Sequence, residues 1–281
     1  MNKRNLILLV LPALMLSGCN KEISAADAKA KAKEIEEHEV KAEDYNALSV
    51  SVKMHSEASG KIEGQQGNEK GDMETLVEFS VEGNYIHTKS YMKDQDIQAG
   101  KTETAEQESW AYLKDDVFYT AVRANDGSKE TKTYYTVEGI ADVVKAAFKT
   151  SLDATVKSAL AQASDKTYLQ AVEGLADGKT EEGVDYKVKY YTAGDGNLTV
   201  EGTASYTDYQ YDGVKGSGSG KVKYAWDKYL LAEIAVTMDF HGVEEAKDTD
   251  VTMKIDMSEK LGFECKVNYP DLSGYEKGAA L

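Results

Sequence analysis

The sequence predicts an α+β protein in which a strongly curved antiparallel sheet, a half-barrel of roughly a dozen strands, wraps one or two helices. Two observations predict it. Apolar and polar residues alternate with period two over most of the chain after residue 47, as expected of strands that are covered on one face. Within residues 139–177 the alternation gives way to helical spacing, which places a helical insert between two series of strands.

The first eighteen residues have the layout of a secretory signal. Lys3 and Arg4 give a positive start, and an apolar run from Leu6 to Leu16 is interrupted only by Pro12. As a helix, this run is too short to span ~30 Å of hydrocarbon. We therefore expect residues 1–18 to be a cleaved signal peptide.

The next motif, Leu16-Ser17-Gly18-Cys19, resembles the lipobox of bacterial lipoproteins, where small residues precede a lipidated cysteine. The resemblance implies cleavage before Cys19, a diacylglyceryl cysteine with palmitate-type chains, and a membrane anchor on the extracytoplasmic side. In a Gram-positive cell this would be the outer leaflet of the cell membrane. Two acyl chains suffice for stable anchoring. The alternative is an ordinary cleaved signal that happens to carry a cysteine.

Composition restricts the partners. The formal net charge is −16, and loss of Lys3 and Arg4 with the leader makes the mature chain more acidic still. Such a chain is not attracted to nucleic acid or to anionic lipid headgroups. With Cys19 lipidated, Cys265 has no partner, so we expect no internal disulfide.

Residues 19–47 are predicted to be the lipidated N-terminus and a tether helix, which begins at a Ser24 cap and is either solvated or docked by one edge. Residues 48–281 are predicted to form a single domain. Polar segments at 57–72, 94–107 and 212–220 are expected to be loops. The predicted strands lie within Leu48–His55, Glu74–Glu82, Tyr85–Met92, Trp110–Leu113, Val117–Val122, Thr133–Val137, Val184–Tyr190, Leu198–Tyr206, Val222–Trp226, Leu230–Phe240, Val251–Met257 and Phe263–Tyr269.

The helical insert contains an apolar residue at every fourth position from Ile140 to Leu160, and Val143, Ala147 and Ala159 widen this row. A step of four outruns the 3.6-residue turn by about 40° each time, so the row winds partly around the helix. A curved sheet that wraps the helix would accommodate such a row. A shorter second helix is expected near Thr167–Ala176.

Residues suited to catalysis are not assembled in any known motif, so we expect no enzyme, no cofactor and no metal site. The four histidines lie in four different segments without metal-ligand spacing. Cys265 is in phase with Phe263 and Val267, which favours a small buried hydrophobe over a nucleophile.

The segment Tyr224–Leu231, which continues through Ile234, Val236 and Met238, forms a paired-strand hairpin that resembles those of the lipoprotein-carrier superfamily, including LolA, LolB and the LppX/LprG proteins. The resemblance implies a half-barrel whose concave face holds acyl chains. Its anchor separates this chain from soluble LolA and makes the anchored members nearer models. The candidate cavity lining comprises Phe79, Tyr224, Trp226, Ile234, Met238 and Phe240.

Two functions therefore remain open. The first is a non-enzymatic binding lipoprotein that holds an apolar ligand, such as a lipid, against the concave face of its sheet. The alternative is a structural or protein-interaction lipoprotein of the same fold with a solidly filled core and no ligand. The volume left inside the sheet distinguishes them.

Overall fold

The computed structural model describes residues 21–279, apart from residues 128, 165, 166, 168, 171–183, 212 and 213. These residues form one curved, unclosed sheet of thirteen strands, on which two helices lie. The prediction of a mixed fold built on a curved antiparallel sheet is confirmed. The predicted signal peptide, Cys19 and most of the predicted second helix at 167–176 lie outside the described residues.

The helices are α1 (Ala25–Glu37) and α2 (Ala141–Ala163), and short 3₁₀ turns occur at Ala42–Asp44 and Glu245–Lys247. The strands are β1 (Lys21–Ile23), β2 (Ala47–Ile62), β3 (Gln65–Ser80), β4 (Tyr85–Asp96), β5 (Lys101–Lys114), β6 (Val117–Asn125), β7 (Glu130–Glu138), β8 (Val184–Thr192), β9 (Leu198–Tyr211), β10 (Val214–Asp227), β11 (Leu230–Glu244), β12 (Thr249–Gly262) and β13 (Glu276–Lys277). Their order across the sheet is β1-β8-β9-β10-β11-β12-β2-β3-β4-β5-β6-β7-β13. Neighbours are antiparallel except β13, which is parallel to β7.

One side of the sheet, here called the helix face, carries both helices at one end of the strands. Its main cluster buries Leu48, Leu198 and Val200 against both helices, and each of these three side chains is at most 2% exposed. The predicted strand phases are therefore correct here, because alternate residues of β2 and β9 point into the same cluster. The other side is called the opposite face.

Helix α1 is shorter than predicted. The Ser24 hydroxyl accepts a hydrogen bond from the Asp27 backbone N–H (3.1 Å), which caps the start, but the helix ends at Glu37 instead of Ala47. Val40 and Tyr45 pack against the main cluster from the non-helical chain that follows. Three residues of α1 are buried, namely Ala28, Ala32 and Ile35, so this helix docks by one edge.

Helix α2 crosses the sheet at the same end of the strands. Its first turns lie on β5 and β6, where Phe148 and Val144 pack with Leu113 and Phe118. Its later turns reach β2 and β11. Every fourth residue from Val144 to Leu160 is buried, as the winding row predicts. The predicted widening is confirmed at Ala159, which packs against the main cluster. It is wrong at Val143 and Ala147, which are exposed because the sheet lies on one side of the helix.

The segments predicted as loops at 57–72, 94–107 and 212–220 belong largely to strands β2 to β5 and β10. Their polar composition hides the strands because neither face is covered there, so alternation is lost. Ladder hydrogen bonds and cross-strand ion pairs such as Lys70–Glu57 (2.5 Å) hold them instead. Gly60 has a φ of 134° beside the backbone of Asp250, a conformation that favours glycine.

The predicted last strand, Phe263–Tyr269, is also wrong. Strand β12 ends at Gly262, and the chain then crosses the opposite face of β4–β7 as an extended tail. The tail covers a second cluster, in which the Tyr85 hydroxyl donates a hydrogen bond to the backbone oxygen of Asn268 (3.0 Å). An extended tail on an apolar surface buries alternate residues as a strand does, which explains the misleading pattern. The cluster contains Tyr85, Trp110, Tyr112 and Ala121, with Cys265, Val267, Leu272 and Tyr275 from the tail.

Candidate functional site

The six candidate lining residues share the helix face but fall into two groups. Trp226 is 3% exposed within the main cluster, and Phe79, Tyr224 and Ile234 pack against that cluster. A β-bulge between Ala225 and Trp226 lets Trp226 pair with Leu231 beneath the helices. These four side chains therefore belong to the helix-filled end of the sheet. Met238 and Phe240 lie farther along β11 on the same face and outside the main cluster.

The described residues leave one small gap beside the end of α2. The gap between the end of α2 and strands β11 and β12 has a volume of about 20 Å³. This is close to the room that one water molecule needs. Its lining includes Ala163, Ile234 and Leu261. A ligand of lipid size does not fit in this gap.

Beyond the helices, the helix face carries an apolar row that runs across the strands. One residue from each of seven adjacent strands stands in register: Val222, Val236, Met257, Met54, Met73, Met92 and Ala105. The four central members, Met257, Met54, Met73 and Met92, are called the methionine row below. Met92 is 46% exposed and Met257 is 38% exposed, so this row presents thioether side chains to solvent.

Methionine use in the described chain is confined to this face. Met238 and Met253 are the remaining two of its six methionines, and their register places them on the helix face of β11 and β12. The three hydrophobic clusters formed by the described residues include none of the six. Unbranched, polarisable methionine side chains are typical of adaptable binding surfaces.

An acidic cavity of about 410 Å³ adjoins the methionine row on β2–β5. The row directly above the methionines along the strands is Ser56, Gly71, Asp94 and Glu103, and the next is Ala58, Glu69, Asp96 and Lys101. Lys101 hydrogen-bonds Glu103 (2.6 Å), which lowers the pKa of Glu103 and raises that of Lys101. Glu69, Asp94 and Asp96 add three more carboxylates to the lining.

Sequence reasoning places Met238 at the site and Met54, Met253 and Met257 on covered stripes, but it misses the row. Phase along each strand is visible in the sequence, whereas register between strands depends on hairpin lengths. The segments predicted as loops hide those lengths. Continuing the alternating pattern of Met73 and Met92 through the charged residues beside them would have lengthened the predicted strands. The hairpin lengths, and with them the row of methionines, would then have been visible.

On the opposite face, His87 forms a separate polar cluster beneath the C-terminal tail. Its Nδ1 lies 2.7 Å from Glu78 and its Nε2 lies 2.9 Å from Glu108, while its ring stacks on Trp110 at 5.1 Å. Arg123 donates to Glu108 (2.8 Å). These contacts give the half-buried carboxylates of Glu78 and Glu108 polar partners beneath the tail.

The other histidines lie apart from His87. His55 pairs with Asp72 (2.6 Å), His241 pairs with Asp250 (2.8 Å), and His38 stacks on Tyr229. In the described part of the chain, no group of three or more His, Cys, Asp or Glu residues is placed to hold a metal ion. Cys265 is half-buried by the second cluster, and this burial raises its thiol pKa to about 11.

Comparison with known proteins yields no family. No family model matches the chain, and no curated protein matches it. The translocator domain of autotransporter NalP from Neisseria meningitidis is 8% identical over 84% of this chain and 93% of its own, with a TM-score of 0.19. Pseudomonas aeruginosa OccK5 (OpdH) is 5% identical over 77% of this chain and 98% of its own, with a TM-score of 0.16. Scores this low carry no argument. Among the described residues, neither helix combines the length and apolar content that crossing a bilayer requires.

Proposed function

We propose that this chain is an extracytoplasmic lipoprotein, anchored to a membrane through lipid on Cys19, that binds an apolar ligand on the helix face of its sheet. The binding surface is the part beyond the helices, where Met238 and Phe240 lie on β11 next to the methionine row. The protein acts by binding and performs no catalysis.

The placement of the methionines carries this proposal. Six methionines share one face of the sheet, and the hydrophobic clusters include none of them. Exposure of 46% for Met92 and 38% for Met257 is a costly use of apolar surface unless a ligand covers it. A lipid bound by an anchored protein would cover these methionines while the protein stays at the membrane surface.

The solid-core alternative is favoured by a specific observation at the helix-filled end. Trp226, Leu198 and Leu48 are buried there, and a gap of about 20 Å³ remains beside Ile234. An interaction protein would use this end as a filled scaffold and present its long polar strands to a partner. The two functions differ in whether the methionine row binds a ligand.

Two experiments test the proposal. Metabolic palmitate labelling should mark the wild-type protein and not Cys19→Ala, and label that persists in the variant would overturn the anchor. Mass spectrometry of organic extracts from the purified chain without its leader should find a lipid in stoichiometric amount. A delipidated sample should then bind a fluorescent fatty-acid probe saturably, and a folded sample that binds none would favour the solid-core alternative.

A further inference from the structure

We propose that the methionine row and the acidic cavity beside it together bind one amphiphile that has a single apolar chain and a positively charged head. This inference rests on the proposed function and specifies its ligand. The apolar chain lies across the strands on the methionines, and the cation occupies the cavity above them.

The width of the apolar band indicates a single chain. On β2, β3 and β4 the methionines are bordered above by Ser56, Gly71 and Asp94 and below by Val52, Thr75 and Ser90. Residues on the same face of a strand are about 6.6 Å apart. On β3 and β4 the apolar band is therefore about one side chain wide, and on β2 Val52 widens it by one position, so the band suits one extended chain better than two chains side by side.

The length of the band fits an acyl-type chain. Adjacent strands are about 4.8 Å apart, so the four methionines from Met92 to Met257 span about 14 Å. One leaflet of a bilayer, half of its ~30 Å hydrocarbon core, has a similar depth. Val236 and Val222 continue the band over two more strands, which extends it to about 24 Å.

The choice of methionine supports a flexible ligand. Leucine or valine would supply apolar area in few rotamers, whereas methionine has three rotatable side-chain bonds and a polarisable sulfur. A surface of four adjacent methionines can follow a chain that bends or shifts along its length. It is less suited to a rigid ring system, which needs a preformed pocket.

The charge of the cavity selects the head. Glu69, Asp94, Asp96 and Glu103 contribute four carboxylates, while the helix face supplies one cation to the lining, Lys101. The other lysine of the lining, Lys70, is paired with Glu57 (2.5 Å), whose register places it on the opposite face. A cationic head is therefore attracted to this cavity, and an anionic head is repelled by it.

The floor of the cavity is built to admit a head group. A Cβ on Gly71 would lie 3.0 Å from the Ser56 hydroxyl and 3.3 Å from an Asp94 carboxylate oxygen, so the bare glycine makes room for both. Asp94 lies two residues along β4 from Met92 and on the same face, which joins the two halves of the site.

The test uses two probes that share a chain and differ in the sign of the head. Tetradecyltrimethylammonium and tetradecyl sulfate are titrated, below their micelle concentrations, into residues 20–281, which contain every described strand and helix. Isothermal calorimetry should show the ammonium probe binding at a single site, about tenfold or more tighter than the sulfate.

Variants locate the two halves of the ligand. The double variant Glu69→Gln, Asp94→Asn should reduce the affinity for the ammonium probe about tenfold. It should also reduce the ratio of the affinities for the ammonium and sulfate probes. Asp256→Asn removes a carboxylate on the opposite face of β12 and is the matched control, which should change neither probe. Met73→Gln should weaken both probes, whereas Met73→Leu keeps the apolar contact and should retain binding. Circular dichroism verifies that each variant is folded.

The outcomes separate this inference from the proposed function. Equal or tighter binding of the sulfate would overturn the cationic head, and an unchanged affinity in Met73→Gln would overturn the position of the chain. Either result would leave apolar-ligand binding intact. Failure of both probes to bind saturably to folded protein would overturn the proposed function together with this inference.

Discussion

Replacing Leu48 by alanine tests the strand phase and the main cluster at once. Leu48 is the second residue of β2, is 2% exposed, and stands in register with Phe79 on the helix face. Its neighbour Ser49 points to the opposite face, in register with Glu78. The pair Leu48→Ala and Ser49→Ala therefore compares adjacent positions that differ in the face they occupy.

The expected cost follows from the burial of Leu48. The substitution removes three buried carbons, which at about 0.8 kcal/mol each corresponds to roughly 2.4 kcal/mol of transfer free energy. A residual cavity adds about 24 cal/mol per Å³, because the surrounding helices relax only in part. We expect a loss of about 3–4 kcal/mol of unfolding free energy for Leu48→Ala. Ser49→Ala should stay within about 0.5 kcal/mol of wild type.

Urea denaturation of residues 20–281, followed by circular dichroism, measures both values. Leu48→Ala should lower the denaturation midpoint with an unchanged slope, because the surface exposed on unfolding stays the same. A domain of this size should also lose roughly 6–16 °C in melting temperature. Equal losses in the two variants would show that the phase of β2 is wrong, and no loss in Leu48→Ala would refute the main cluster.

Three further predictions concern the second cluster and the polar cluster of His87, which both lie on the opposite face. Burial raises the thiol pKa of Cys265 from 9.0 to about 11. Maleimide at pH 7.5 should therefore label native protein about a hundredfold more slowly than protein in denaturant. Fast labelling of native protein would show that the C-terminal tail does not cover Cys265. Burial also raises the pKa of Tyr112 to about 12, so the folded state keeps the hydroxyl proton to higher pH than the unfolded state does. The unfolding free energy should therefore fall as pH rises from 10 to 12. In alkaline denaturation, Tyr112→Phe should make the unfolding free energy less dependent on pH in this range. His87→Leu leaves Glu78 and Glu108 without their shared partner and should cost about 2–4 kcal/mol by urea denaturation, whereas a neutral result would show that water already solvates both carboxylates.

Much of the fold could be predicted from the sequence because one covered face leaves a period-two pattern. The gaps between predicted strands at residues 83–84, 114–116 and 227–229 are confirmed as turns. Asn84, Asp115 and Asp116 have positive φ there, a conformation that Asn and Asp adopt more readily than most residues. The winding row of α2 correctly indicates a helix that meets several strands. Each of these features is encoded within a few neighbouring residues.

The failures have the opposite origin. Strand residues such as Glu69 and Lys101 are stabilised by partners on other strands, and nothing in their own composition favours extension. The tail after Gly262 imitates a strand because an apolar surface of β4–β6 covers alternate residues. For the site, the hydrophobicity of Trp226 and Ile234 predicts a place on the covered face of the sheet. It does not distinguish residues that the helices cover from residues of the same face that lie beyond the helices. That separation depends on where α2 crosses the sheet.

The position of β1 has a consequence for how the protein would stand on a membrane. Lys21 pairs with Thr192, at the helix-filled end of the sheet, and Cys19 lies two residues earlier, within about 7 Å of chain. If Cys19 carries the anchor, that end is held close to the lipid. In the sheet the methionine row aligns with Val188, four residues along β8 from Thr192, or about 13 Å up the strand. The tip of the β2–β3 hairpin lies about 26 Å farther on. If the strands stood along the membrane normal, the methionine row would therefore lie beyond a headgroup layer of roughly 5–8 Å, and a bound lipid would have to leave the headgroups completely to reach it. The hairpin tips would stand farther out still.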